Sequence, residues 1–144
     1  MAVKSLVTAA LAILFVPFLS FAGETYSAKA ICRGLNYYPG GYAGCSELGG
    51  IAKAVCLGMS YSPSGLAACD ELKGVARAVC KGMNYSPSGM ASCNELSGFA
   101  KSFCHGTNYA SGGLAACSKL SEDAKAVCRA TNYASSGLAA CDEL

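Results

Sequence analysis

The constraint that most limits this chain is a cysteine pattern with a fixed period. The ten cysteines are Cys32, Cys45, Cys56, Cys69, Cys80, Cys93, Cys104, Cys117, Cys128 and Cys141, and the gaps between them alternate 13 and 11. The surrounding residues repeat with the same period of 24. Residues 52–72 read AKAVCLGMSYSPSGLAACDEL and residues 124–144 read AKAVCRATNYASSGLAACDEL. Self-similarity of this kind means a repeat architecture, in which each unit packs mainly on its neighbours. Five units follow, 28–51, 52–75, 76–99, 100–123 and 124–144, behind a short lead at 23–27.

The segment before the repeats reads as an export signal. Lys4 supplies a positive start, Leu6 to Leu19 is almost wholly apolar, and Ser20-Phe21-Ala22 offers small residues for cleavage after Ala22. Residues 1–22 are therefore expected to be a cleaved signal peptide. The apolar run is shorter than the ~20 residues of a membrane span, and Pro17 interrupts it. No span is expected once the signal is removed. An even, dense set of cysteines behind such a signal reads as a disulfide framework in an oxidising compartment, either periplasmic or outside the cell. The staples answer a shortage of bulk, because the repeats are rich in Ala and Gly and the chain has no Trp.

Within a repeat the apolar residues have helical spacing. Leu66, Cys69, Leu72, Val75, Val79 and Met83 fall three or four apart, beside a polar stripe of Asp70, Lys73, Arg77 and Lys81. The phase does not reset at Gly74, which favours one helix through each joint. Ser121-Glu122-Asp123 instead suits the start of a new helix, so a break there is the alternative. Ser62-Pro63 and Ser86-Pro87 suit an N-cap and first helical position. On that register Tyr61 packs on Leu66 as a hydrophobic staple, and Asn84, Asn108 and Asn132 suit left-handed helix ends. The expected fold is all-α, an array of antiparallel helices of short α-solenoid type.

The cysteines admit two pairing registers. Two cysteines eleven apart on a straight helix are separated by about 16 Å, and a disulfide needs Cα atoms within about 7 Å. A joint register also leaves Cys32 and Cys141 at opposite ends of the array. The pairing expected is therefore Cys32–Cys45, Cys56–Cys69, Cys80–Cys93, Cys104–Cys117 and Cys128–Cys141.

Little in the chain points to catalysis. The one histidine, His105, occupies a slot filled elsewhere by Arg33, Leu57, Lys81 and Arg129, which marks a surface position. A nucleophilic cysteine would have to be free, and even parity argues against it. Zinc favours cysteines two to four residues apart, a spacing the chain lacks, so no metal site or cofactor is expected. Glu47, Glu71, Glu95 and Glu143, with Lys119 in the fourth copy, read as a solvated helix face. Asp70 and Glu71 are adjacent and do not share a face.

The row Tyr37, Tyr61, Tyr85, Tyr109 and Tyr133 is the strongest candidate for binding, as an aromatic ladder for a peptide or a sugar chain. Its structural alternative is the staple. Without residues 1–22 the chain carries ten Lys/Arg and nine Asp/Glu. This near-neutral balance gives no reason to expect nucleic acid as a partner. The function expected is a non-enzymatic interaction or scaffold module whose partner is a protein or glycan in the extracytoplasmic space. The alternatives are a structural or protective envelope component and a disulfide-stapled inhibitor or toxin.

Overall fold

The computed structural model describes residues 26–144; the expected signal peptide and most of the 23–27 lead lie outside them. Each repeat supplies one long helix and one short return. The helices are α1 (Ala28–Tyr37), α2 (Gly41–Ser46), α3 (Gly50–Tyr61), α4 (Leu66–Cys69), α5 (Gly74–Tyr85), α6 (Met90–Cys93), α7 (Gly98–Ala110), α8 (Gly113–Cys117) and α9 (Glu122–Ala134). Short 3-10 turns at Tyr38–Gly40, Ser62–Ser64 and Ser86–Ser88 follow the first three long helices, and a 3-10 segment at Leu138–Glu143 ends the chain. The fold is all-α, built on the 24-residue period and stapled by disulfides.

The joints break the helix. Lys73 is extended (φ −127°, ψ 159°) and Gly74 is left-handed (φ +53°). Gly50 and Gly98 repeat that conformation, which only glycine adopts at little steric cost. In the last joint Ser121 takes the N-cap position without a side-chain cap bond, and Glu122 and Asp123 occupy the first turn of α9. Acidic side chains there complement the positive end of the helix dipole.

Because the chain reverses at the joint, each short helix folds back on the long helix that follows it. Cys69 and Cys80 then stand 5.5 Å apart at Cα, and they are bonded. The same holds for Cys45–Cys56, Cys93–Cys104 and Cys117–Cys128. The expected bridges Cys32–Cys45, Cys56–Cys69, Cys80–Cys93, Cys104–Cys117 and Cys128–Cys141 are not formed. Cysteines eleven apart do not lie on one straight helix, because the chain reverses at the joint between them. The joint register does not strand the two end cysteines either. Cys32 and Cys141 are bonded to each other across 109 residues, and α9 packs against α1. The array is not open but closed into a ring.

Within the ring the long helices run parallel. Gly34 of α1 abuts Ala52 and Val55 of α3, while further along the Ser60 hydroxyl reaches the Tyr38 carbonyl. Both chains thus advance together. The antiparallel relation holds between each short helix and the long helix after it, as the Asp70–Arg77 pair beside Cys69–Cys80 shows.

The hub of the ring is one side chain per repeat. Ile31, Val55, Val79, Phe103 and Val127 are spaced by 24 residues and fully buried. All ten half-cystines are buried around them, so the bridges do much of the space-filling that large apolar residues perform in other small cores. Four glycines let the long helices approach. A Cβ at Gly58 would lie 2.5 Å from the Ala76 carbonyl oxygen and 2.6 Å from Val79 Cβ. Gly34, Gly82 and Gly106 meet the next helix in the same way. The fifth such position, on α9 beside the closing seam, is Ala130 and is fully buried. The last seam thus carries one methyl group more than the others.

The turns also differ from the expected register. Ser62 is helical (φ −53°, ψ −40°) and caps nothing, because the 3-10 turn continues α3 directly. The short helix starts only after Gly65 (φ +85°), which makes Leu66 its first residue rather than its fourth. Asn84, Asn108 and Asn132 are not left-handed, since every positive φ among the described residues belongs to glycine. They lie inside the long helices.

Candidate functional site

Those asparagines clamp successive repeats together. Asn84 Nδ2 donates to the Cys80 carbonyl one helical turn back (2.9 Å), to the Ser62 carbonyl of the preceding repeat (3.2 Å) and to Cys69 Sγ (3.5 Å). Asn108 and Asn132 repeat the arrangement, with the Ser86 and Ala110 carbonyls as their cross-repeat acceptors. Asn36 Nδ2 reaches Cys141 Sγ at 3.3 Å across the closing seam. Ser60 replaces the amide in the second repeat, 3.5 Å from the Tyr38 carbonyl. The signal for this role was present in the sequence as a polar residue at one fixed slot inside an otherwise amphipathic helix.

The slot occupied by Arg33, Leu57, Lys81, His105 and Arg129 lies beside each bridge and meets the residue that follows the second cysteine of the preceding repeat. Lys81 stands 3.6 Å from Asp70, and His105 Nε2 stands 3.2 Å from Asn94 Oδ1. At the closing seam Asp142 meets both Arg33 (3.4 Å) and Lys29 (3.2 Å). A hydrogen bond from Arg77, its charge and that of Lys81 hold the Asp70 carboxyl below its ordinary range. Partial burial, and then the charge of Lys101, lower the His105 pKa. Its neighbour Cys104 is bonded to Cys93 and offers no thiol. Glu47, Glu71, Glu95, Lys119 and Glu143 are exposed around the joints.

The five tyrosines sit one per long helix, in the last turns, and each is half-buried. The closed ring sets them around a circle rather than along a line. None stacks on another among the described residues; the ring contacts there are Tyr26 on Phe99 (centroids 3.8 Å apart) and Phe99 on Phe103 (5.9 Å).

Tyr109 lines a cleft of about 290 Å³ with Met90, Asn108, Ser111, Gly112 and Ala116. Tyr133 lines a cleft of about 320 Å³ with Leu114, Asn132, Ser136, Ala140 and Glu143. Five of these six positions correspond after a shift of 24 residues, so the same cleft recurs from one repeat to the next. Tyr109 and Tyr133 thus share their clefts with the large apolar residue of the preceding repeat, not with the staple partner in their own repeat.

Charge is strongly segregated between the two rims of the ring. Residues 34–44, 58–69, 82–93, 106–117 and 130–141 contain no Asp, Glu, Lys, Arg or His. These segments are the C-terminal ends of the long helices, the turns and the starts of the returns. They form one rim. The large apolar residues that remain exposed among the described residues, Tyr38, Tyr42, Leu66, Leu114 and Leu138, all lie on it. Among the described residues the charged side chains lie on the joint rim and along the flanks, apart from Glu143, which reaches the Tyr133 cleft.

These features define a covalently closed ring of helical hairpins with one charged rim and one uncharged rim. No family model matches the chain, and no curated protein or solved structure matches it. Five internal bridges with no free cysteine among the described residues point to an oxidising, extracytoplasmic setting. No described helix is long and apolar enough to cross a membrane.

Proposed function

We propose that this protein is a non-enzymatic interaction module of the extracytoplasmic space and that it binds through its uncharged rim. The observation that carries the reading is the coincidence of two patterns on one rim, the absence of charge and the exposure of large apolar side chains. Leu66, Leu114 and Leu138 are 43%, 49% and 40% exposed, and Tyr42 is 69% exposed. Single exposed apolar residues are ordinary on a protein surface, but several gathered on one charge-free rim favour an interaction site. A bridged, closed ring holds these residues in fixed places, so little ordering entropy is lost on binding.

Photo-crosslinking in the native compartment tests the reading. Probes placed at Leu66 and Leu114 are expected to capture a binding partner, and a probe at Lys53 on the charged rim is not. Capture through Lys53 alone would overturn it.

A further inference from the structure

We infer that the occupant of the uncharged rim is a neutral carbohydrate, one sugar unit lying in each cleft between repeats; this rests on the reading of that rim as the binding surface. The first support is chemical. The cleft of Met90, Asn108, Tyr109, Ser111, Gly112 and Ala116 has no charged group in its lining. An ionic ligand would find no counter-charge there and would lose hydration without compensation. The lining instead joins an aromatic ring and an aliphatic wall to hydroxyl and amide groups. The amide nitrogen of Asn108 is spent on the Ser86 and Cys104 carbonyls, and its Oδ1 remains an acceptor. Sugars match such a lining because a pyranose has an apolar C–H face and a rim of hydroxyls.

The second support is repetition. The Leu114/Tyr133 cleft is the Met90/Tyr109 cleft displaced by one repeat, except that Glu143 takes a place in its lining. The other seams carry the same slots, Leu66 with Tyr85, Tyr42 with Tyr61, and Leu138 with Tyr37. A ligand made of like units meets like subsites, and linked units convert weak single contacts into tighter overall binding. A lipid surface would use the apolar tips and leave the hydroxyl and amide groups unsatisfied.

The test is a titration of the oxidised, isotope-labelled protein with neutral tetra- to hexasaccharides of glucose, mannose and N-acetylglucosamine, followed by NMR. Phosphatidylcholine vesicles and a protein dilution series form parallel arms. Saturable shifts at Tyr109, Tyr133, Asn108 and Ser136 are expected with at least one sugar series, with longer oligomers binding more tightly. Tyr109→Ala with Tyr133→Ala is expected to weaken binding about tenfold or more, while disulfide mapping and circular dichroism stay unchanged. If no sugar shifts these signals but vesicles or self-association do, the carbohydrate inference falls and the binding rim stands. If no arm touches the rim and crosslinks map to the charged end, both fall.

Discussion

Gly58 sits in the middle of a helix, where replacement by alanine ordinarily stabilises by about 1 kcal/mol. Here the added methyl would enter the contact with Ala76 and Val79. Overpacking of a fixed contact costs about 1–3 kcal/mol, so Gly58→Ala is expected to lower stability in guanidinium unfolding. A gain would show that the long helices can move apart. Asp70 gives a second measurable at this scale. Its folded pKa is depressed by Arg77 and Lys81, so its contribution to stability is present above the unfolded value and is lost as pH falls through the folded one. NMR titration should place its midpoint below that of an ordinary aspartate. Arg77→Ala should raise the midpoint, and added salt should narrow the difference.

Each seam is a long helix, the next long helix and the return strapped between them. The asparagine amide bonds backbone on both sides of the seam and reaches a bridge sulfur as well. Asn108→Ala would remove one donor each from the Ser86 and Cys104 carbonyls, which keep bonds from the Gly89 N–H and the Thr107 hydroxyl, a loss of about 0.5–1.5 kcal/mol. Hydrogen exchange is expected to quicken in α7 and in the turn before it, and to stay unchanged in α3. An effect spread evenly round the ring would contradict the clamp.

The all-helical fold, the period and the presence of bridges were legible in the sequence, because cysteine spacing and helical periodicity are local signals. The pairing was not. It turns on whether the chain reverses at Lys73-Gly74, and a left-handed glycine and a tolerated mid-helix glycine look alike in sequence. Gly34, Gly58, Gly82 and Gly106 carried a readable signal, a costly residue repeated at one helical slot. The tyrosine row was visible as a row, but its partners Met90 and Leu114 belong to the preceding repeat, and only closure of the seams brings them together.

At the scale of the whole molecule the bridges are not equivalent. Four span 11 residues, and Cys32–Cys141 spans 109. On a chain-entropy basis the short loops each contribute about 3 kcal/mol and the long one about 5 kcal/mol. Replacing Cys32 and Cys141 with serine should therefore cost more in guanidinium unfolding than replacing Cys69 and Cys80, and a reversed order would show that the first and last repeats meet without help from their bond. Asp142, held by Lys29 and Arg33, reinforces the same closure, while Tyr26 ties the start of the described chain to Phe99 of the fourth long helix. An open solenoid is indifferent to its length, since another unit merely extends it. Here one full turn is divided among five crossings, so gaining or losing a single unit would alter the angle at every remaining crossing, and the number five is itself part of the architecture.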